Sequence, residues 1–364
     1  MNKSDLNIFK NEDLTKHLIE SISEISKNLD DVCLMEVCGT HTMSIARYGI
    51  KNLLPSNIHL LSGPGCPVCV TPNSEIDKMI AICDFNNVIV TTFGDMIRVP
   101  GSSCSLMEKQ SEGADVRVVY SALDALDIAK DNPNKEIVHC GVGFETTTPT
   151  TGLVIQQAKN ENIMNFSVMC FHKNMPHALE FIASKSSVNV DGLLLPGHVS
   201  TISGLQIYQF LAEKYNMPGV VAGFEVVDIL QAILLILKQI ESGKSYIENA
   251  YSRVVKNSGN CIAQSVINKV FSVSDTFWRG FGLIKKSGFS INDNYKKYDA
   301  ESKFNITPEK TIDHKGCKCG EILQGILKPS ECPLYKKICN PQNPIGPCMV
   351  SSEGSCAAFY KYEI

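Results

Sequence analysis

The chain has 364 residues, with 34 basic against 38 acidic side chains and a net charge of −4. That balance gives no broad electrostatic reason to bind nucleic acid or an anionic membrane surface. An apolar share of 44% supports a packed core and excludes a disordered chain. The opening MNKSDLNIFKNEDL is polar and lacks the apolar core of a signal peptide. The longest apolar run, VVDILQAILLILKQI, holds Asp228, Gln231 and Lys238 and falls short of the roughly 20 apolar residues a membrane span needs. A cytoplasmic protein is expected, and in that compartment its 15 cysteines point to metal or redox chemistry rather than to a disulfide framework.

In chain order, leucines and isoleucines at helical spacing predict a lead-in helix over residues 8–29. Short apolar runs follow, each closed by a Gly/Pro/Thr loop and a helical pattern. They are CLMEVC (33–38), IHLL (58–61), NVIVTT (87–92), DVRVVY (115–120), EIVHCG (136–141), FSVMCF (166–171), VDGLLL (190–195) and PGVVAG (218–223). Continuous apolar strands alternating with helices imply parallel sheets covered on both faces. Eight such strands either close a barrel or form two sheets. The short intervening helices favour two doubly wound, mainly parallel α/β domains, with the break near residue 130. The stretch from about 226 to 272 reads as helical. From 316 to the end the chain is Pro/Gly-rich and carries six of the cysteines, which marks a small third module. The expected units are 1–130, 131–240 and 241–364.

In open α/β sheets, ligands bind beyond the carboxyl ends of the strands. The loops at those ends read VCGTHT, GPGCPVCVTP, TFGDMIRVPGSS, GVGFETTTPT, CFHKN, LPGHVST and AGFEV. They are expected to bring Cys38, His41, Cys66, Cys69, Asp95, Arg98, Glu145, His172, His198 and Glu225 to one side of the molecule. Cys38 ends a strand just before a helical pattern, where the helix terminus is expected to favour its thiolate. His41 lies within reach of the same site. Cys66 and Cys69 open a helix, the setting of a thiol–disulfide couple, and no second ligand pair lies nearby to make a zinc knuckle. Cys33, Cys83, Cys140, Cys170 and Cys261 sit in strand or helix patterns and are read as core residues; Cys104 is left open.

The tail cysteines are Cys317, Cys319, Cys332, Cys339, Cys348 and Cys356. Their loose spacing lacks the close pairs of a zinc site, and the two surplus cysteines lean toward a 4Fe-4S cluster. Spacing alone does not choose four ligands from six.

The motifs MEVCGTHTMSIARYGI, SGPGCPVCVTP, TFGDMIRVPGSS, GVGFETTTPTT, LPGHVSTI, AGFEVVDIL and PIGPCMVSSEGSCAAFY resemble those of the HypD family of hydrogenase maturation proteins, over about residues 31–361. The resemblance implies two α/β domains plus a third holding a 4Fe-4S cluster. It implies a scaffold that builds the Fe(CN)2CO centre of NiFe-hydrogenases together with the small chaperone HypC. Cyanide would arrive from HypE, which receives a carbamoyl group through HypF. The tail is similar to ferredoxin–thioredoxin reductase, where a cluster lies beside a redox-active disulfide. Carried over, Cys38 would hold iron with a cysteine of HypC, with His41 beside it, and Cys66 and Cys69 would be a dithiol couple. Cys317, Cys332, Cys339 and Cys348 would ligate the cluster, and Cys319 and Cys356 would form the disulfide pair. Asp95, Arg98, Glu145, His198 and Glu225 are candidate supports for the nascent centre. A monomer is expected of the chain by itself. The alternatives are a cluster-fed thiol–disulfide oxidoreductase and a structural zinc module on a small-molecule-binding α/β protein.

Overall fold

The computed structural model describes residues 12–185 and 189–362. All eight expected strands are present: β1 (Val32–Glu36), β2 (Ile58–Ser62), β3 (Val88–Thr92), β4 (Asp115–Val118), β5 (Glu136–Gly143), β6 (Phe166–His172), β7 (Gly192–Pro196) and β8 (Gly219–Ala222). They form two parallel sheets. One runs β2-β1-β7-β8 and ends on a short ninth strand, β9 (Ile247–Asn249); the other runs β4-β3-β5-β6. Every residue of β3 and of β7 is buried, as a strand with helices on both faces requires.

The sheets do not divide the chain at residue 130. Val88–Thr91 pair with Glu136–His139 across that point, and Leu34–Glu36 pair with Gly192–Leu194. The expected ranges 1–130 and 131–240 therefore each contribute to both sheets. The physical reason is that a parallel partner needs only a crossover connection, which here carries the whole second sheet.

The lead-in helix α1 spans Glu12–Ser26; residues 8–11 of its expected range lie outside the described residues. Its Leu18, Ile22 and Ile25 pack with Leu230, Ile233 and Leu237 of the helix α11 (Val226–Glu241), which comes after β8. Burying each such side chain contributes about 1.5–3 kcal/mol. Beyond α11 the structure corrects two expectations. The 226–272 stretch is broken by β9 before a second helix, α12 (Cys261–Val270). Cys261, at the start of α12, is exposed rather than core.

An antiparallel hairpin, β10 (Phe271–Trp278) and β11 (Gly282–Ile291), comes next. It is fastened by a fully buried cation. Lys173 Nζ reaches both carboxylate oxygens of Glu75 at 2.9 Å and donates to the Phe277 carbonyl at 2.9 Å. Trp278 is 1% exposed, donates from Nε1 to Ser287 Oγ at 2.8 Å and stacks on Phe144. Among the described residues no helix is long and apolar enough to cross a membrane.

Candidate functional site

β1 and β2 are neighbours in register, Glu36 opposite Ser62, so the loops that leave them run side by side. The first loop turns at once into α2 (Gly39–Arg47), with Cys38 as its N-cap. The second turns into α3 (Pro67–Val70), with Cys66 as N-cap and Pro67 at the first helical position, where no N–H is needed. Gly39 N donates to Gly65 O at 3.0 Å. A Cβ on Gly65 would sit 2.2 Å from Cys38 N, so only glycine allows this approach. Cys66 and Cys69 are joined as a disulfide with Cα atoms 5.2 Å apart.

Cys38 is 7% exposed. The helix terminus does not lower its pKa, as the sequence suggested. Burial pushes the thiol up to about 12, and the nearby Glu353 carboxylate adds to the shift. Desolvation of a thiolate outweighs the terminus of a short helix; coordination to a cation reverses that balance, since a metal-bound thiol is deprotonated. His41 is fully buried. Its Nε2 lies 2.9 Å from the Gly223 carbonyl, which assigns the proton to that nitrogen. Nδ1 has no partner among the described residues and burial holds the ring neutral, with a pKa of about 4. A neutral imidazole with a free ring nitrogen is suited to accept a hydrogen bond or a metal.

The other loops supply uneven contributions. Glu145 is 5% exposed, accepts from Met175 N at 2.9 Å with Oε1, and leaves Oε2 unpartnered; burial pushes its carboxyl up to about 7. His198 is exposed and lies against Phe224, ring centroids 4.1 Å apart, while His41 lies 4.8 Å from the same ring. Glu225 is the N-cap of α11, its backbone N donating to Asp228 Oδ2 at 3.2 Å. His172 is turned into the second sheet's helix layer, where Nε2 meets Thr151 Oγ1 at 3.0 Å.

Asp95 and Arg98 reach the tail, and Arg98 also lines the solvent-open cleft beside it. Asp95 Oδ2 accepts from Ser352 N and Ser352 Oγ, both at 2.8 Å, and Arg98 Nη2 donates to Pro341 O at 2.6 Å. Residues 351–353 touch three loops at once. Ser351 Oγ lies 3.2 Å from Cys66 Sγ, Ser352 holds Asp95, and Glu353 Oε1 accepts from Thr40 Oγ1 at 2.6 Å. Glu36, beneath Cys38, is 2% exposed and accepts from Thr42 Oγ1 at 2.6 Å. Sequence reasoning missed Glu36 and Glu353. The available signals were that one precedes Cys38 by two residues and the other stands between two tail cysteines.

All six tail cysteines line one small cavity, together with Ile322, Leu334, Tyr335, Gly346 and Met349. A Cβ on Gly346 would sit 2.7 Å from Cys317 Sγ, so glycine keeps that thiol room. Cys348 lies 2.7 Å from Cys319 by sulfur and also interacts with Cys356, so it stands between the two residues expected to pair. Among the described residues no three metal-ligating side chains already stand in coordinating geometry. The donor chemistry fits a cluster nonetheless: six soft thiols, four of them under 9% exposed, around one apolar hollow. Cys317 and Cys319 also line a cleft of about 910 Å³ that opens to solvent.

The sequence model of the HypD family, described as the hydrogenase formation hypA family, matches residues 13–363. A Methanocaldococcus jannaschii relative is 48% identical over 349 residues, covering 96% of this chain and 97% of that one. Hydrogenase maturation factor HypD of Escherichia coli is 44% identical over 351 residues, 96% of this chain and 94% of its own. The HypD of Rhodobacter capsulatus is 44% identical over 364 residues, 97% of each chain. With a site built at the ends of two adjacent parallel strands and a thiol-lined tail packed on it, the chain belongs to the HypD family of hydrogenase maturation factors.

Proposed function

We propose that this chain is the scaffold on which, with HypC, the Fe(CN)2CO centre of a NiFe-hydrogenase is assembled. One observation carries the reading. The segment holding Cys66 and Cys69 touches the Cys38 turn through Gly65 and the tail through Ser351. Cys38, the Cys66–Cys69 disulfide and the thiol-lined cavity are thus contiguous.

In this reading Cys38 holds the incoming iron as a thiolate, and His41 offers Nδ1 beside it. Soft thiolate donors suit iron that carries strong-field ligands. A cysteine of HypC supplies the second thiolate, and HypE delivers cyanide. The Cys66–Cys69 couple takes up two electrons and two protons on opening to the dithiol. Four of the six tail thiolates would hold a 4Fe-4S cluster, which supplies electrons one at a time when an external low-potential donor reduces it. Glu145, with an unpartnered oxygen, would hold a proton near the site.

The test is anaerobic co-expression with HypC, followed by infrared spectra in the cyanide and carbonyl stretching region. Bands in the wild-type complex that vanish in Cys38→Ala are the expected result. An empty window in the wild type, with iron and sulfide present in cluster amounts, sinks the scaffold reading in favour of a cluster-fed oxidoreductase.

A further inference from the structure

The turn of the β10–β11 hairpin, Trp278-Arg279-Gly280-Phe281, is inserted between the Cys66–Cys69 helix and the first helix of the tail, α14 (Cys319–Leu323). Toward the dithiol, Arg279 makes three bonds to residues that directly follow Cys69. Its backbone N donates to Val70 O at 2.8 Å, Nε to Thr71 O at 3.1 Å and Nη2 to Asn73 Oδ1 at 2.6 Å. Toward the tail, the neighbouring Gly280 has φ 82° and lies directly on Gly320. A Cβ there would stand 2.3 Å from Gly320 Cα. Gln324 Nε2 closes the contact by donating to Gly280 O at 2.7 Å. The backbone next to Arg279 is thus in van der Waals contact with the residue next to Cys319.

The guanidinium is therefore fixed in place, and its side chain is 12% exposed. The nearby carboxylate of Asp313, 3.5 Å from Nη1, is 74% exposed and well screened by solvent. The charge acts on both sides. Arg279 lines the same cleft as Cys317 and Cys319, and it is bonded at the carboxyl end of the helix that carries the disulfide. The opened pair carries negative charge to the extent that one of its two thiols ionises, and a thiolate-bound cluster gains negative charge on taking up an electron. A fixed cation held against both favours the reduced state.

We propose that Arg279 is a positioning residue that tunes electron transfer, standing as a fixed positive charge between the Cys66–Cys69 couple and the tail cysteines and raising the reduction potential of the couple. This rests on the reading of Cys66–Cys69 as a working redox couple.

The experiment uses the full chain, purified without oxygen and equilibrated with mixtures of reduced and oxidised dithiothreitol. That reagent gives up two electrons and two protons as it closes to its cyclic disulfide. The open fraction is read by alkylation of Cys66 and Cys69 and mass spectrometry. Arg279→Gln is expected to shift the equilibrium about tenfold toward the disulfide, about 30 mV for a two-electron couple. Arg279→Lys, which keeps the charge and loses the planar fork, is expected to stay within about threefold of wild type. Asp313→Asn, at an exposed position that folding tolerates, is expected to shift about twofold toward the dithiol. Equal shifts in the Gln and Lys variants would show a packing role only and overturn the proposal, as would a Gln variant that titrates like wild type. If neither Arg279 variant folds, Asp313→Asn decides: no shift, or a shift toward the disulfide, overturns it. A wild-type pair that does not titrate at all sinks the redox couple itself and the tuning with it, an outcome distinct from a normal wild type with unmoved variants.

Discussion

The Cys38 turn and the tail cavity present the same side chain in opposite ways. Cys38 is placed by backbone. A parallel strand ends, a helix begins, Gly65 presses on the turn, and the thiol has no freedom to be elsewhere. The tail thiols are placed by short pieces. Cys319, Cys348 and Cys356 sit on the short helices α14, α15 (Pro347–Val350) and α16 (Ser355–Tyr362), Cys317, Cys332 and Cys339 sit in coil, and all six crowd one hollow. A strand-end site is preorganised before its ligand arrives. A thiol set divided between coil and one- or two-turn helices relies on what it binds, and on a few bonds to the body of the protein, to stay in order.

Three changes break or sharpen that contrast. The largest effect is expected from Gly65→Ala, which alters no chemical group. Its Cβ would collide with the Cys38 backbone. It should cost about 3 kcal/mol in urea unfolding and abolish the infrared bands expected under the proposed HypC scaffold role as fully as Cys38→Ala. Retention of both would show that the turn is less rigid than its packing implies.

The dependence on pH separates the buried histidines from the buried carboxylates of the site. His41, His139 and His172 are fully buried, and burial lowers their pKa values to about 4, about 4 and about 3. Below about 6.5 the unfolded chain binds protons that the folded one refuses, so stability falls as pH drops toward 4. Glu145 behaves the opposite way. Its folded pKa is about 7, raised from 4.5, so stability is lost as pH rises from about 4.5 through 7. Glu145→Gln should remove its own share of that second slope, up to about 3 kcal/mol at pH 8 relative to pH 4.5, leaving the share of buried Glu36, whose carboxyl burial raises to about 8, and leaving the acid limb intact. Unfolding midpoints across pH in the two proteins check this.

The smallest effect is expected from Asp95→Ala. It removes two bonds to Ser352, for about 1–3 kcal/mol. Its mark should be local: faster alkylation of Cys348 and Cys356 in metal-free protein, with the unfolding of the sheets little changed. A uniform loss across the molecule would argue against a tail held by discrete bonds.

Much of this was legible in the sequence. All eight strand runs are strands, because apolar runs closed by Gly/Pro loops have few other ways to bury themselves. Cys38 and Cys66 come together because strand ends share an edge. What was hidden is pairing over distance. Nothing in VCLME says that its partner is GLLLP rather than VIVTT. The hairpin escaped notice because FSVSDTFW buries only its two ends. It is held by the Lys173–Glu75 pair and by Trp278, each a single residue without periodicity. Arg279, Glu36 and Glu353 share that character. The helix-terminus argument for Cys38 failed because burial, a tertiary property, outweighs a local dipole.

The strand order also has a consequence for the ribosome. The second sheet, β3 to β6, is contiguous in sequence and is complete once His172 has emerged. The first sheet is not: β1 and β2 are made early but must wait for Gly192–Pro196 to supply the neighbour of β1. At ~5–20 residues per second that delay is on the order of ten seconds. During it, the strand that leads to Cys38 stands with an unpaired apolar edge. The Cys38 turn is therefore among the first parts of the chain to be translated and among the last to acquire its shape.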